Sequence, residues 1–248
     1  MPPQTDFDTA RDALLLDIDG TLIDIAPTPE GVVVPDSLRK SLATLSPLVG
    51  GALAFCSGRT LVAVDALFAP LKLAAIGTHG AEIRPAPNAP VKDVATPIPD
   101  AVKRAFADVP TLLPGIRVED KTYTLAFHYR LVPQHEAALF ALLGARLPAF
   151  ASAELVELRG KAIVELKAKT FNKGTGVRAL MQLPPFRGRR PVYLGDDRTD
   201  EDVLAVLADY NGLGISVGTL LKGATREFAA PADVRAWIAQ LANGDTGT

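Results

Sequence analysis

Cysteine is nearly absent from this 248-residue chain, with Cys56 its only representative. That excludes a disulfide framework and a cysteine-built zinc site, and leaves Cys56 as a small apolar residue of the interior. An excess of charge is missing as well. Lys+Arg number 26 and Asp+Glu 28, for a net charge of −2. Such a balance offers no bulk attraction for DNA, RNA or an anionic membrane, so any anionic ligand must be held by a local site. No apolar run reaches the length expected of a bilayer span. The opening stretch MPPQTDFDTARD is polar and carries acid, unlike a signal peptide. The expectation is a cytoplasmic protein with no nucleic-acid and no membrane partner. There is no internal repeat and no low-complexity tract. What remains is ordinary globular composition, 48% hydrophobic and 22% charged, over a length that allows one large domain or two modest ones.

Short apolar runs alternate with amphipathic stretches. Ala13 to Asp19, Gly51 to Ser57, Leu73 to Gly77, Pro191 to Asp196 and Leu213 to Val217 read as strands buried on both faces. Strands of that kind, separated by helices, predict a parallel α/β sheet covered on both sides. Helices are expected over Asp36 to Leu45, Thr175 to Met181 and Ala232 to Leu241, with Thr199 capping another whose first turn carries Asp200, Glu201 and Asp202. The middle of the chain differs. Arg84 to Pro99 is proline-rich and reads as a linker. Then come a helix over Pro99 to Ala107, an alternating strand from Tyr123 to Tyr129, a helix from Gln134 to Leu147, and a hairpin turning at Arg159-Gly160-Lys161. This order predicts a small α+β domain at 98–169, inserted into a core made of 1–97 and 170–248.

Four clusters carry chemistry, each at a strand end or in a loop entering a helix, where open α/β sheets bind ligands. Asp17 and Asp19 are two apart on an extended segment, so they point the same way, and Gly20 lets the chain turn directly after them. Ser57-Gly58-Arg59 offers a hydroxyl and backbone N–H groups to a phosphate oxygen, although these residues alone read more readily as a plain turn and helix cap. Lys173 can neutralise a carboxylate and a phosphate, or can be a surface lysine. Gly195-Asp196-Asp197-Arg198-Thr199-Asp200 gathers carboxylates that suit a hard cation such as magnesium, or form an acid-rich helix start.

Together, DIDGT, Ser57, Lys173 and GDDRTD resemble the four ordered motifs of the haloacid dehalogenase superfamily. The resemblance implies a HAD-like Rossmannoid core with a parallel sheet and an inserted α+β cap. It implies Asp17 as nucleophile and Asp19 as general acid/base, with Ser57 and Lys173 assisting. Magnesium would be held by Asp17, the carbonyl of Asp19 and Asp196, with Asp200 in support. Presence of Asp19 favours phosphatases and mutases over ATPases.

A finer resemblance is to the trehalose-6-phosphate phosphatases. It rests on the extension Thr21-Leu22-Ile23-Asp24-Ile25 with Pro27 and Pro29, on Ser57-Gly58-Arg59, and on Gly77-Thr78-His79-Gly80-Ala81-Glu82. In the insert it rests on Val118-Glu119-Asp120-Lys121, His128-Tyr129-Arg130, and Gly160-Lys161 followed by Glu165; GDDRTDE closes the set. Asp24 and Thr78 depart from the family pattern. The resemblance implies trehalose 6-phosphate as substrate, with Glu119, Lys121 and Glu165 reading the sugar. Gly20, Gly58, Arg59, His79 and Arg130 join the substrate-binding set, His79 either touching substrate or orienting its loop; His128 is expected to hydrogen-bond structurally. Functional coupling to a separate trehalose-phosphate synthase is a further expectation. Another sugar-phosphate phosphatase, a phosphomannomutase, or a non-catalytic domain regulating a synthase are the alternatives.

Overall fold

In Asp12–Leu16 every residue is buried, and successive side chains serve different cores. Leu14 and Leu16 join one apolar cluster, while Ala13 and Leu15 join another. A strand needs no polar face when both sides are covered, which is why this run lacks alternation. The structure, a computed structural model, describes residues 7–25 and 31–244; Pro27 and Pro29 lie outside the described residues. These residues divide into two compact units, Met1–Val94 with Phe171–Thr248, and Ala95–Thr170.

The first unit begins with β1 (Asp12–Leu16), α1 (Asp36–Leu48), β2 (Leu53–Cys56), α2 (Leu61–Phe68), β3 (Ala74–Gly77), β4 (Glu82–Arg84) and β5 (Lys92–Asp93). The second holds α3 (Asp100–Ala105), α4 (Val109–Leu112), β6 (Arg117–Asp120), β7 (Thr124–His128), α5 (Glu136–Arg146), β8 (Leu155–Gly160) and β9 (Ile163–Ala168). The chain then returns to the first with α6 (Lys173–Leu180), β10 (Arg190–Gly195), α7 (Glu201–Leu204), β11 (Leu213–Val217), β12 (Arg226–Phe228) and α8 (Pro231–Ala242).

The larger sheet runs β12-β11-β10-β1-β2-β3-β4-β5 and is parallel from β12 to β3. Helices α1, α2 and α8 cover one face through Leu42, Phe68 and Trp237; α6 and α7 cover the other through Val177 and Val203. From β1 the chain builds outward to β2 and β3 on one side, and later to β10 and β11 on the other. The carboxyl ends of β1 and β10 therefore flank a topological switch point, the place where such sheets bind ligands.

The segment expected to be a linker, Arg84 to Pro99, begins at the last residue of β4 and contains β5; these two strands extend the sheet antiparallel. Pro85, Pro87 and Pro90 all fall in the turn between these strands, so they break the chain without breaking either strand.

In the second unit four antiparallel strands run β6-β7-β9-β8. Leu125, Phe127, Val164 and Leu166 pack with Val102, Phe106, Leu139 and Leu143 of the helices. Pro133–Ala153 is long and apolar enough to cross a membrane by length and composition, contrary to expectation. Here it belongs to a folded unit. Glu136 accepts from the Tyr129 hydroxyl at 2.9 Å, and Arg146 pairs with Asp108.

Candidate active site

Register brings the acids together. Leu16 pairs with Leu194, and the Asp17 N–H donates to the Leu194 carbonyl at 2.9 Å, so the ends of β1 and β10 emerge side by side. Gly20 follows at φ +89°, and a β-carbon there would collide with the Asp196 carboxylate. Glycine is thus required both by the turn and by the approach.

Lys173 enters from α6. Asn172 caps that helix by accepting from Thr175 N–H, and the Thr175 hydroxyl completes a capping box. Lys173 is the first helical residue, 3% exposed, and its Nζ donates to Asp17 Oδ1 and Asp200 Oδ1, both at 2.7 Å. The surface-lysine alternative is removed.

Asp200 is fully buried and accepts four donors: Lys173 and the Tyr193 hydroxyl on Oδ1, and the Asp196 and Asp197 N–H groups on Oδ2. Its lone pairs are filled by this cage. Thr199 does not cap α7 as expected. Its hydroxyl and N–H both donate to Asp197 Oδ1, and Asp200 stands at the cap position with its side chain turned back.

Burial pushes the Asp17 carboxyl well up, Asp200 and Asp196 add to this, and Lys173 works against it. Burial disfavours the Lys173 ammonium, yet Asp17 and Asp200 outweigh it and hold its pKa well above the usual lysine value. Both directions describe one cluster with more negative than positive charge: the lysine keeps its proton and Asp17 seeks a further cation. Oxygens of Asp17, Asp196 and Asp200 lie within 4.8 Å of one another. An all-oxygen, anion-rich set fits a hard divalent cation. Asp17 and Asp196 are its natural side-chain ligands, since Asp200 is saturated.

Asp19 is not in this cluster. Arg59 Nε donates to its Oδ2 and Arg59 Nη2 to its Oδ1, both at 2.7 Å. Ser57 is buried, and its hydroxyl accepts from the Arg59 N–H at 3.1 Å. The next loop locks onto this one: Thr78 N–H donates to the Arg59 carbonyl, and His79 N–H to the Ser57 carbonyl. Thr78 and His79 adopt φ of +45° and +55°, and the His79 ring fills the space over Gly58. Glu82 ties the arrangement to α2 by accepting from the Thr78 hydroxyl and the Leu61 N–H. His79 thus bridges the two loops through its backbone and its ring.

The family model described as trehalose-phosphatase matches residues 15–233 of this chain. The chain belongs to the trehalose-phosphatase family. The trehalose-6-phosphate phosphatase of Escherichia coli (strain K12) is 38% identical over 237 residues, covering 94% of this chain and 87% of that protein. A probable trehalose-phosphate phosphatase of Sinorhizobium fredii is 40% identical over 206 residues, covering 83% and 77%. Among solved structures, the C-terminal domain of C. albicans trehalose-6-phosphate phosphatase matches with TM-score 0.80 and 22% identity, covering 94% of this chain and 92% of that one. At that identity the likeness speaks for the fold.

Asp24, where this trehalose-phosphatase family member departs from the pattern, pairs with Arg235 of α8 at 3.4 Å, and Arg235 also donates to the Leu22 carbonyl. The added acid is thus part of a brace on the loop after β1.

The second unit carries its own polar constellation. On the sheet face opposite the helices, Glu119, Ala126 and Glu165 stand in register on β6, β7 and β9. Glu165 accepts from Lys121 Nζ at 2.9 Å and from the Thr124 hydroxyl at 2.7 Å. His128 Nε2 lies 2.7 Å from Glu119 Oε2, a bond that lowers the Glu119 pKa. Arg130 donates to the Lys161 carbonyl in the β8–β9 turn. The sequence reading missed Tyr193 and Thr124; they are marked by their contacts with Asp200, seven residues on, and with Glu165, 41 residues on.

Proposed function

We propose that this protein hydrolyses trehalose 6-phosphate to trehalose and phosphate through an aspartyl-phosphate on Asp17, with magnesium as cofactor. The observation that carries the reading is the contact of buried Lys173 with Asp17, beside Asp196, at the carboxyl ends of β1 and β10. Family membership supports the substrate.

Bound magnesium, held by Asp17, the Asp19 carbonyl and Asp196, would supply positive charge against the phosphate dianion. Lys173 adds a fixed cation and holds Asp17 in one orientation. An Asp17 oxygen attacks phosphorus, the bond from phosphorus to the sugar oxygen breaks, and its electron pair leaves with that oxygen. Asp19 gives the leaving oxygen its proton, then takes one from the water that cleaves the acyl phosphate. Asp200 acts by position: its cage fixes Lys173 and the loop that presents Asp196. Ser57 anchors the loop of Gly58 and Arg59. Glu119, Lys121 and Glu165 supply acceptors and a donor for sugar hydroxyls.

The test is phosphate release from trehalose 6-phosphate against glucose 6-phosphate, mannose 6-phosphate and sucrose 6-phosphate, with and without magnesium. A clear preference for trehalose 6-phosphate is expected; equal rates across the panel overturn the substrate assignment. Coupling to a separate synthase that makes this substrate is part of the same reading.

A further inference from the structure

Arg59 makes a bidentate fork on Asp19. Nε and Nη2 each donate at 2.7 Å to a different carboxylate oxygen. Such paired, charge-assisted bonds fix a carboxylate's orientation as well as its distance. Both backbones behind the fork are themselves held. The Arg59 N–H is bound by Ser57 Oγ, and its carbonyl accepts from Thr78 N–H at 2.8 Å. Asp19 forms a bridge with Ile23, and the Gly20 N–H donates to the Ile23 carbonyl at 2.8 Å. The two side chains are partly open to solvent, 19% exposed for Arg59 and 36% for Asp19, so the acid stands at the wet side of a buried cluster.

We propose that Arg59 is the positioning residue of Asp19: its guanidinium sets the rotamer of the proton-transferring carboxyl, holding it by one arm while Asp19 carries the proton, and the second arm closes as that proton passes to the leaving oxygen and the carboxylate forms. This rests on the reading of Asp17 as nucleophile and Asp19 as acid, and is independent of which sugar is bound. It gives Arg59 a use other than the phosphate contact implied by its motif. The role needs a planar fork. A lysine at this position has the charge but presents a single ammonium, which cannot engage both oxygens with the same geometry.

The experiment compares phenyl phosphate with p-nitrophenyl phosphate. The two differ little in size but greatly in how much their leaving oxygen needs a proton. In kcat/KM, which reports steps through loss of the leaving group, Arg59→Met and Arg59→Lys should lose at least about tenfold more on phenyl phosphate than on the nitrophenyl ester, as expected for lost acid assistance. Asp19→Asn should show the same bias, and the double variant Asp19→Asn/Arg59→Met should be no worse than Asp19→Asn alone, because Arg59 acts through Asp19. Arg59→Lys keeps the test valid if the methionine variant does not fold, as judged by circular dichroism and melting. Equal losses on both esters, or additive losses in the double variant, overturn the proposal and return Arg59 to phosphate binding or structure. Absence of bias in Asp19→Asn removes the acid role itself, a distinct failure that takes the proposal with it.

Discussion

The phenolic hydroxyl of Tyr193 donates to Asp200 Oδ1 at 2.5 Å, on the same oxygen that receives Lys173. Asp200 touches neither attacking atom nor leaving group in the proposed reaction, so its influence passes through the lysine. Tyr193→Phe removes the donor and keeps the ring. A hydrogen bond to a charged group contributes about 1.5–3 kcal/mol, so kcat should fall roughly tenfold to a hundredfold. The loss should be similar for trehalose 6-phosphate and for an aryl phosphate. Steady-state kinetics on both substrates, with a melting curve to show folding, checks it.

Asp17→Asn should abolish turnover and leave the fold intact. An amide nitrogen is no substitute for the carboxylate nucleophile, and a cation ligand weakens as well. Near-normal phosphate release from a folded variant would falsify the assignment.

Chelation should remove activity and magnesium should restore it. At a hundredfold excess over its Kd, a ligand that binds only the native state stabilises by about 2.7 kcal/mol. A protein of this size should then melt several degrees higher with magnesium. Asp196→Asn should cancel that shift. Unchanged melting of the parent protein across a magnesium titration counts against the site.

Glu165 has both oxygens engaged inside its own unit, by Lys121 and Thr124. Thr124→Val should free one oxygen to turn and lower kcat/KM for trehalose 6-phosphate by about tenfold, with Thr124→Ser restoring it. Glu119→Ala and Glu165→Gln should act in the same direction. An aryl phosphate, with no second sugar, should respond much less. Equal effects on both substrates would assign these residues to folding.

Asp12 is buried and pairs with the half-buried Arg190 and the exposed Arg11. Burial opposes its charge, but the arginines and the Asp8 N–H outweigh that and hold its pKa below 3.8. A depressed carboxyl contributes stability that is present above the unfolded pKa and is lost as pH falls through the folded one. Asp12→Asn should therefore lower the melting temperature at pH 7, by about 1.5–3 kcal/mol of stability. The gap to the parent should narrow as the pH drops below about 3.8. Thermal melts from pH 7 to pH 3 decide this.

The strands and the acid-bearing loops were legible because both are local. Leu14-Leu15-Leu16 needs no partner to read as a doubly covered strand, and Asp17, Asp19 and Gly20 are neighbours. Bonds that join distant segments left no such trace. Lys173 and Asp17 are 156 residues apart, and only the fold makes the lysine buried. Tyr193 sits in an apolar strand and passes for core: Asp200 is only seven residues on, but nothing in the sequence shows that the loop turns it back beneath the hydroxyl. Prolines signalled a linker from the end of β4 through β5 because their punctuation is read without knowing where pairing stops. Thr199 preceded acids as a cap should, but Asp197 offered it a closer acceptor.

Every residue proposed to handle phosphorus lies within Met1–Val94 or Phe171–Thr248, and every residue proposed to recognise sugar lies within Ala95–Thr170, which has an apolar cluster of its own. On the proposed assignments, chemistry and selectivity fall on different lengths of chain. If those assignments hold, a graft that exchanges 95–170 for the corresponding stretch of a relative with another preference should change the sugar hydrolysed and leave the Asp17 chemistry in place.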